Sequence, residues 1–466
     1  MLAVQLAALA EDPPGVGEAL ELVTAFDDAL AHGLGRLGEQ GAQAVTALAG
    51  AVAATPLGDR TGEAAGKIAA GSVAGEHLTA LAGARAALFG SAHDALLARL
   101  DEALGRARAP WAEPVSGAAP ADNLLAGCRS WLHELAITGW RGVGHDLVAA
   151  SDQTVEALLA EPAMRRLAVL LDGLAEELRA SSPVATMARL PARRWADLWT
   201  RALLLSQPGW LGGPEQGTPV SGRLLILGAD VHEHGTVVQV QVHGILEPAG
   251  GGEPRLVRTA ASATKVDTIA GPAVWSLLQG HPVLMGALAG QRALDLTDMP
   301  LLGSGDLVWH DDRAVTGEPA DPFATARVLL AGALAPATPP LDRHPARIAE
   351  PVLVEGYTTV KGDGEITLKL DGGTLAITTD RLPSCGPLTP QLVAASTACV
   401  GLLRWDGGRW LLQPLGVQAT VKRQPVAAHN GDWAQGPTDP KVVKSLARSG
   451  DAVAVLRERA GRLLRR

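Results

Sequence analysis

Residues 191–210 read PARRWADLWTRALLLSQPGW, and the reading of this stretch decides how the chain divides. Pro191 suits the first position of a helix, where its missing N–H costs nothing. Trp195, Leu198, Trp199, Ala202 and Leu203 then recur at helical spacing and make one apolar stripe. Arg194, Asp197 and Arg201 fall on the other side, with Asp197 four residues ahead of Arg201 in the favourable order for a helix pair. Pro208-Gly209 stops the helix. Two indoles on one stripe bury a large area. Trp195 and Trp199 are therefore expected to form the interaction surface on which two halves of the chain dock.

Ahead of this helix the pattern is helical. Ala19, Leu20, Leu22, Val23 and Phe26 make an apolar face that Gly35 ends, and a second helix is expected over 37–54. A third helical region spans 61–108, interrupted near Gly71 or Gly90. Ala/Leu-rich helices with short Gly breaks pack closely, as in an antiparallel bundle. A Pro/Ala/Gly stretch at 110–121 separates a second helical group at 123–138, 144–159, 162–180 and the Trp195 helix.

Behind the helix the period changes. Leu224 to Leu227 reads as a buried strand, and Val238, Val240 and Val242 alternate with Gln239, Gln241 and His243, the period of a half-buried strand. The HEHG segment at 232–235 makes this pair a hairpin. Asp321-Pro322 starts a short helix with an Asp cap and Pro at its first position. A Pro-rich linker at 336–345 precedes further strands joined by Asp363-Gly364, Asp371-Gly372-Gly373 and Asp406-Gly407-Gly408. Such turns between alternating segments are strong hairpin signals. The fold class expected is α+β: an N-terminal all-helical bundle, then mostly antiparallel β barrel- or sandwich-like modules, then a C-terminal helix. The domains expected are a helical bundle at 1–109, a second helical group at 122–212, and a mixed β domain with short helices at 213–335. A small β barrel or sandwich at 350–430 and a basic helix at 440–466 complete them.

Composition narrows the class. An apolar share of 47% with 19% charged residues suits a folded chain. The net charge of −9 argues against a whole-surface nucleic-acid binder. Residues 440–466 carry +6 of net charge and the remainder −15. Cys128, Cys385 and Cys399 are too few and too scattered for a disulfide framework or a zinc set, which fits a reducing, cytoplasmic setting. The run MLAVQLAALAEDPP lacks the basic start of a signal peptide, and no apolar run is long enough to suggest a membrane span.

Several constellations carry residue types that can do chemistry. GEAAGK at 62–67 has one residue too few for a phosphate loop and a helix ahead of it. His232 and His234, with Asp230 and His243 nearby, are candidate metal ligands at a hairpin tip, where polar side chains are expected anyway. His93-Asp94 and His145-Asp146 invite comparison with the pairs of metal phosphohydrolases, but that site needs a further His and a distant Asp in register, and neither His77 nor His133 has the spacing to serve. Cys385 lies in a turn and is the best candidate thiol, while Cys399 and Arg404 miss the spacing of a Cys-Arg phosphatase loop. The basic tail offers Arg457, Arg459, Arg462, Arg465 and Arg466 as an interaction surface, with no interleaved aromatics for base stacking. No nucleophile, base and orienter can be named together, so catalytic residues and cofactors are expected to be none.

The segments RWADLWTRALLL (194–205) and GLLRWDGGRWLLQPL (401–415) resemble uncharacterised accessory proteins of high-GC bacteria. Those are encoded beside a SWIM zinc-finger protein, a MoxR-type AAA ATPase and a von Willebrand factor A protein. The resemblance implies an accessory role in such an ATPase system and carries no catalytic residue across. The function expected is a non-catalytic adaptor or scaffold whose partners are other proteins. The alternatives are a metal-dependent hydrolase with a dispersed His/Asp site, and a nucleic-acid-associated protein acting through its β module and basic tail.

Overall fold

The computed structural model describes residues 3–112, 122–208, 217–266, 268–362 and 365–449. The turn at Asp363-Gly364 and the arginines from Arg457 to Arg466 lie outside the described residues.

The front half folds as helices α1 (Ala3–Ala7), α2 (Val16–His32), α3 (Glu39–Ala51), α4 (Gly58–Ala69), α5 (Gly75–Leu104), α6 (Asp122–Thr138), α7 (His145–Ala149), α8 (Asp152–Ala160), α9 (Arg165–Ala180) and α10 (Ala192–Leu205). The apolar stripes of α2 to α10 converge on one core that runs from Phe26 to Leu205, while α1, the start of α2 and the second half of α5 pack elsewhere. The two helical groups expected from the sequence thus share a single interior. The break at Gly71 is present, with its φ of 87°, whereas Gly90 is passed without interruption inside α5.

The Trp195 helix, α10, lies inside this core. Trp195 and Trp199 have no exposed surface. Trp195 packs edge-on to Trp140 with ring centroids 6.5 Å apart, and its Nε1 donates to Glu177 Oε2 at 3.0 Å. Trp199 Nε1 donates to the carbonyl of Leu132 at 2.9 Å. A stripe with two indoles gains most from complete burial among other helices, so it serves the bundle rather than a docking face.

The joining is done by α5. This helix has 30 residues and is about 45 Å long at about 1.5 Å per residue. Its first half buries Leu78, Leu81 and Ala82 in the helical core. Its second half buries Ala92, Leu96, Leu97 and Leu100 against the C-terminal sheet, together with Leu6 and Val16 from the N-terminus. The Pro-rich segment at 336–345 lies as a strap across α5 and α10: Arg201 Nη2 donates to Asp342 Oδ1 at 2.8 Å, Arg343 Nη1 to Asp94 Oδ2 at 3.0 Å, and His344 stacks on Phe89 at 4.3 Å.

The back half begins with β1 (Thr218–Glu233), β2 (Val237–Pro248) and β3 (Arg255–Thr264), then α11 (Pro282–Gly290), β4 (Arg292–Leu301), β5 (Asp306–Leu307), β6 (Ala314–Pro319) and α12 (Pro322–Leu329). The long strand β1 pairs with β4 from Thr218 to Leu224 and with β2 from Gly222 to Glu233, so residues 222–224 are paired on both edges. β2 pairs with β3, β3 runs parallel to β5, and β5 returns to β4. The order β1-β2-β3-β5-β4-β1 is therefore a closed ring of pairs, with β6 added outside β4. At Gly222, where pairing with β2 begins while pairing with β4 continues to Leu224, a Cβ would stand 2.2 Å from the carbonyl oxygen of Glu247. Leu284, Met285 and Leu288 of α11 and Trp275 join the ring interior. Asp321 caps α12 through the amide of Phe323, with Pro322 at the first position, as the sequence implies.

The chain ends with β7 (Ala349–Glu355), β8 (Thr358–Gly362), β9 (Glu365–Leu370), β10 (Gly373–Ile377), α13 (Pro390–Val393), β11 (Ser396–Asp406), β12 (Arg409–Val421), β13 (Gln424–His429) and α14 (Pro440–Ser449). The order β7-β11-β12-β10-β9-β8, with β13 on β12, is open: no pair joins β7 to β8 among the described residues. The closed arrangement thus falls in the 218–319 stretch, and the 349–429 sheet closes by packing instead. Part of it covers α5 and α1. Leu353, Ala398 and Val400 pack with Phe323 of α12 and with Leu227 and Ile245 of the ring.

Candidate functional site

A broad, half-open groove follows α5. Ala80, Gly83, Ala87 and Gly90 recur at i, i+3, i+7 and i+10, so one side of the helix carries almost no side-chain volume. Around this trough stand α4 (Leu57, Arg60), α6 (Ala126, Arg129, His133), the end of α10 (Leu203, Leu204, Gln207) and the strap (Leu341, Arg343). The cavity they enclose is about 1280 Å³. Small-molecule pockets are typically about 300–1,000 Å³. A ten-residue helix, about 10 Å across and about 15 Å long, fills roughly 1,200 Å³. The groove is therefore sized for a polypeptide segment.

Its walls are fixed by buried polar contacts. Arg129 Nη1 donates to the carbonyl of Ser206 at 2.6 Å and holds α6 to the end of α10. Beneath the groove, Arg85 grips Asp27 with two bonds of 2.6 and 3.0 Å and lies over the Phe89 ring. Burial pushes the Asp27 carboxyl up, and the Arg85 guanidinium opposes that shift. The bidentate pair ties α2 to α5 where neither side chain reaches water.

A second polar constellation joins the two β modules. Asp230 on β1 is buried among apolar strand residues. Arg404 Nη2 donates to Asp230 Oδ2 at 2.9 Å, and Gln413 Nε2 donates to Asp230 Oδ1 at 2.6 Å. Arg404 Nε donates to Gln413 Oε1 at 2.5 Å, closing a ring of three side chains from β1, β11 and β12. His232 Nε2 lies 3.0 Å from Asp230 Oδ2. Burial alone would raise the Asp230 pKa; His232 and Arg404 together with Gln413 hold it down at about 2. His243, fully buried beside them, is pushed down to about 3 by burial and by the Arg258 and Arg404 charges. Its Nε2 finds no hydrogen-bond partner among the described residues.

Among the described residues, the side chains singled out from the sequence lie in separate parts of the fold. His232 is engaged by Asp230, while His234 sits exposed in the turn with its amide bonded to Val237. Among the described residues no three His, Cys, Asp or Glu side chains come together as metal ligands. His93 is buried against its neighbour Asp94, whose other oxygen takes Arg343. His77 and His133 line one part of the groove, bound to the carbonyls of Ser72 and Val73. Cys385 is buried rather than displayed, its thiol pushed up to about 12 by burial, and burial lifts Cys128 to about 11 and Cys399 further still. GEAAGK lies in the interior of α4.

Sequence reading missed both the groove and the Asp230–Arg404–Gln413 ring. A signal for the ring was present: Asp230 and Arg404 each interrupt an apolar strand, and charges there are stable only when paired. No family model matches this chain, and neither a curated protein nor a solved structure is significantly similar to it.

Proposed function

We propose that this chain is a non-catalytic adaptor whose helical half takes a segment of another protein in the groove along α5. The groove is the observation that carries this reading. Its volume suits a short helix, its floor is small and apolar, and its charged groups stand around that floor. This is how amphipathic helices are recognised by grooves: apolar anchors set affinity and surrounding charges set register. Because α5 also runs into the core beneath the C-terminal sheet, a bound segment would be held in a fixed orientation to the β half. The Asp230–Arg404–Gln413 ring keeps the two β modules together as a second platform.

The resemblance of residues 194–205 and 401–415 to accessory proteins supports a place beside a MoxR-type AAA ATPase in the cytoplasm, with a protein of that system as the occupant. No described helix is long and apolar enough to cross a membrane. The test fills the groove. Gly83 has open space where a Cβ would stand, so Gly83→Leu with Ala87→Leu should fold normally and block entry. Affinity purification from the native cell should then lose the partner that the unaltered chain retains. Undiminished recovery of that partner by the filled variant would refute the proposal.

A further inference from the structure

The hairpin of β12 and β13 leaves the body of the protein. Every residue from Thr420 to Ala427 is exposed, and pairing continues out to Val421 opposite Gln424. The turn is therefore the two residues Lys422 and Arg423, whose φ angles are 51° and 70°. Two-residue turns with both φ positive favour Asn-Gly, because side chains with a Cβ are strained there. Here the strained positions carry two long basic side chains, and neither forms an ion pair with a described residue. Val421 and Val426 flank them at 38% and 37% exposure. Pro425 removes an amide from β13, which discourages pairing of a further strand along that edge. Contact would run through the tip side chains.

A matching surface lies on the ring. Among the described residues strand β6 pairs only with β4, and its Val315 is 68% exposed directly opposite Asp295. Asp295, Asp298 and Asp312 are exposed around it. They outnumber the neighbouring basic groups, Arg223 directly opposite Asp295 on β1 and Arg313, which donates to the carbonyl of Asp298 at 2.6 Å. The tip thus carries +2 with exposed valines, and the face, counting Asp295, Asp298 and Asp312 against Arg313 and Arg223, carries −1 with an exposed valine.

We propose that the Lys422–Arg423 hairpin of one chain docks on the Asp295–Val315 face of a second copy, giving a salt-sensitive self-association independent of the groove. The net charge of −9 and the absence of aromatics between Thr420 and Ala427 favour a protein surface over nucleic acid. Sedimentation velocity of the full chain at low salt should show concentration-dependent association that weakens at least 10-fold at high salt. Lys422→Glu/Arg423→Glu should abolish it, and so should Asp295→Lys/Asp312→Lys. Mixing these two variants should restore it, since each supplies the sign the other needs. Lys422→Asn/Arg423→Gly should also lose association while melting at the same or a higher temperature, because the turn strain is relieved; this separates lost charge from lost fold. A wild-type chain that stays monomeric, association unchanged by the tip reversal, or no restoration on mixing would each overturn the proposal. So would tip-dependent binding to a labelled DNA duplex without self-association, which would assign the hairpin to nucleic acid.

Discussion

Replacing Arg404 by Met tests what holds the two β modules together. Arg404 is 8% exposed and Asp230 is 2% exposed. Met retains much of the aliphatic stem and removes the bonds of 2.9 Å to Asp230 and 2.5 Å to Gln413. The carboxylate then stays in a place built to exclude water, with Gln413 and His232 as its remaining partners. Removing one member of a buried pair costs about 3–5 kcal/mol, most of it the penalty of the stranded charge. That is a large fraction of the total stability of about 5–15 kcal/mol of a typical domain. The double variant Asp230→Asn/Arg404→Met leaves no stranded charge and should recover more than half of the loss. Urea unfolding followed by circular dichroism gives the magnitudes. Amide hydrogen exchange locates the change, which should fall on β1, β11 and β12 and leave α6, α9 and α10 protected. A cost below about 1 kcal/mol for Arg404→Met, or a double variant no better than the single, would show that the ring of side chains does not lock the modules.

Two further outcomes follow from buried groups. His243 has a folded-state pKa near 3 against an ordinary value of 6.5, so the unfolded chain takes up a proton that the folded chain refuses. Stability should therefore fall as pH drops from about 6.5 toward 3, with a slope from this residue approaching about 1.4 kcal/mol per pH unit. His243→Leu should flatten that limb in pH-dependent urea melts and leave stability at pH 8 equal or higher, because an unpartnered buried nitrogen is removed; an unchanged slope would contradict this. Trp199→Ala should cost about 3–5 kcal/mol through the cavity it opens and leave the carbonyl of Leu132 without its 2.9 Å donor. Thermal unfolding of the helical half reads this loss, and a shift within the range of a surface substitution would contradict the burial described for α10.

The local pieces of this fold were legible from the sequence because their causes are local. Alternation from Val238 to Val242 places β2, Asp321-Pro322 begins α12, and the glycines at 407 and 408 supply the positive φ that their turn requires. The periodicity of residues 195–203 set α10 as an amphipathic helix. Periodicity states only that a face seeks burial, and it is silent on which neighbour provides it. Tertiary structure placed that face inside the bundle and gave the joining role to α5. It also built a turn from Lys422-Arg423, a pair with no turn preference of its own, by pairing Val421 with Gln424. Closure of the ring depends on β4 returning to β1, and the Asp230–Arg404 contact spans 174 positions. Such contacts have no repeat in the sequence to announce them, because their energy exists only once both strands are assembled and water has left. The same holds for the groove: its four small residues look like ordinary helix filler until α4, α6, α10 and the strap rise around them.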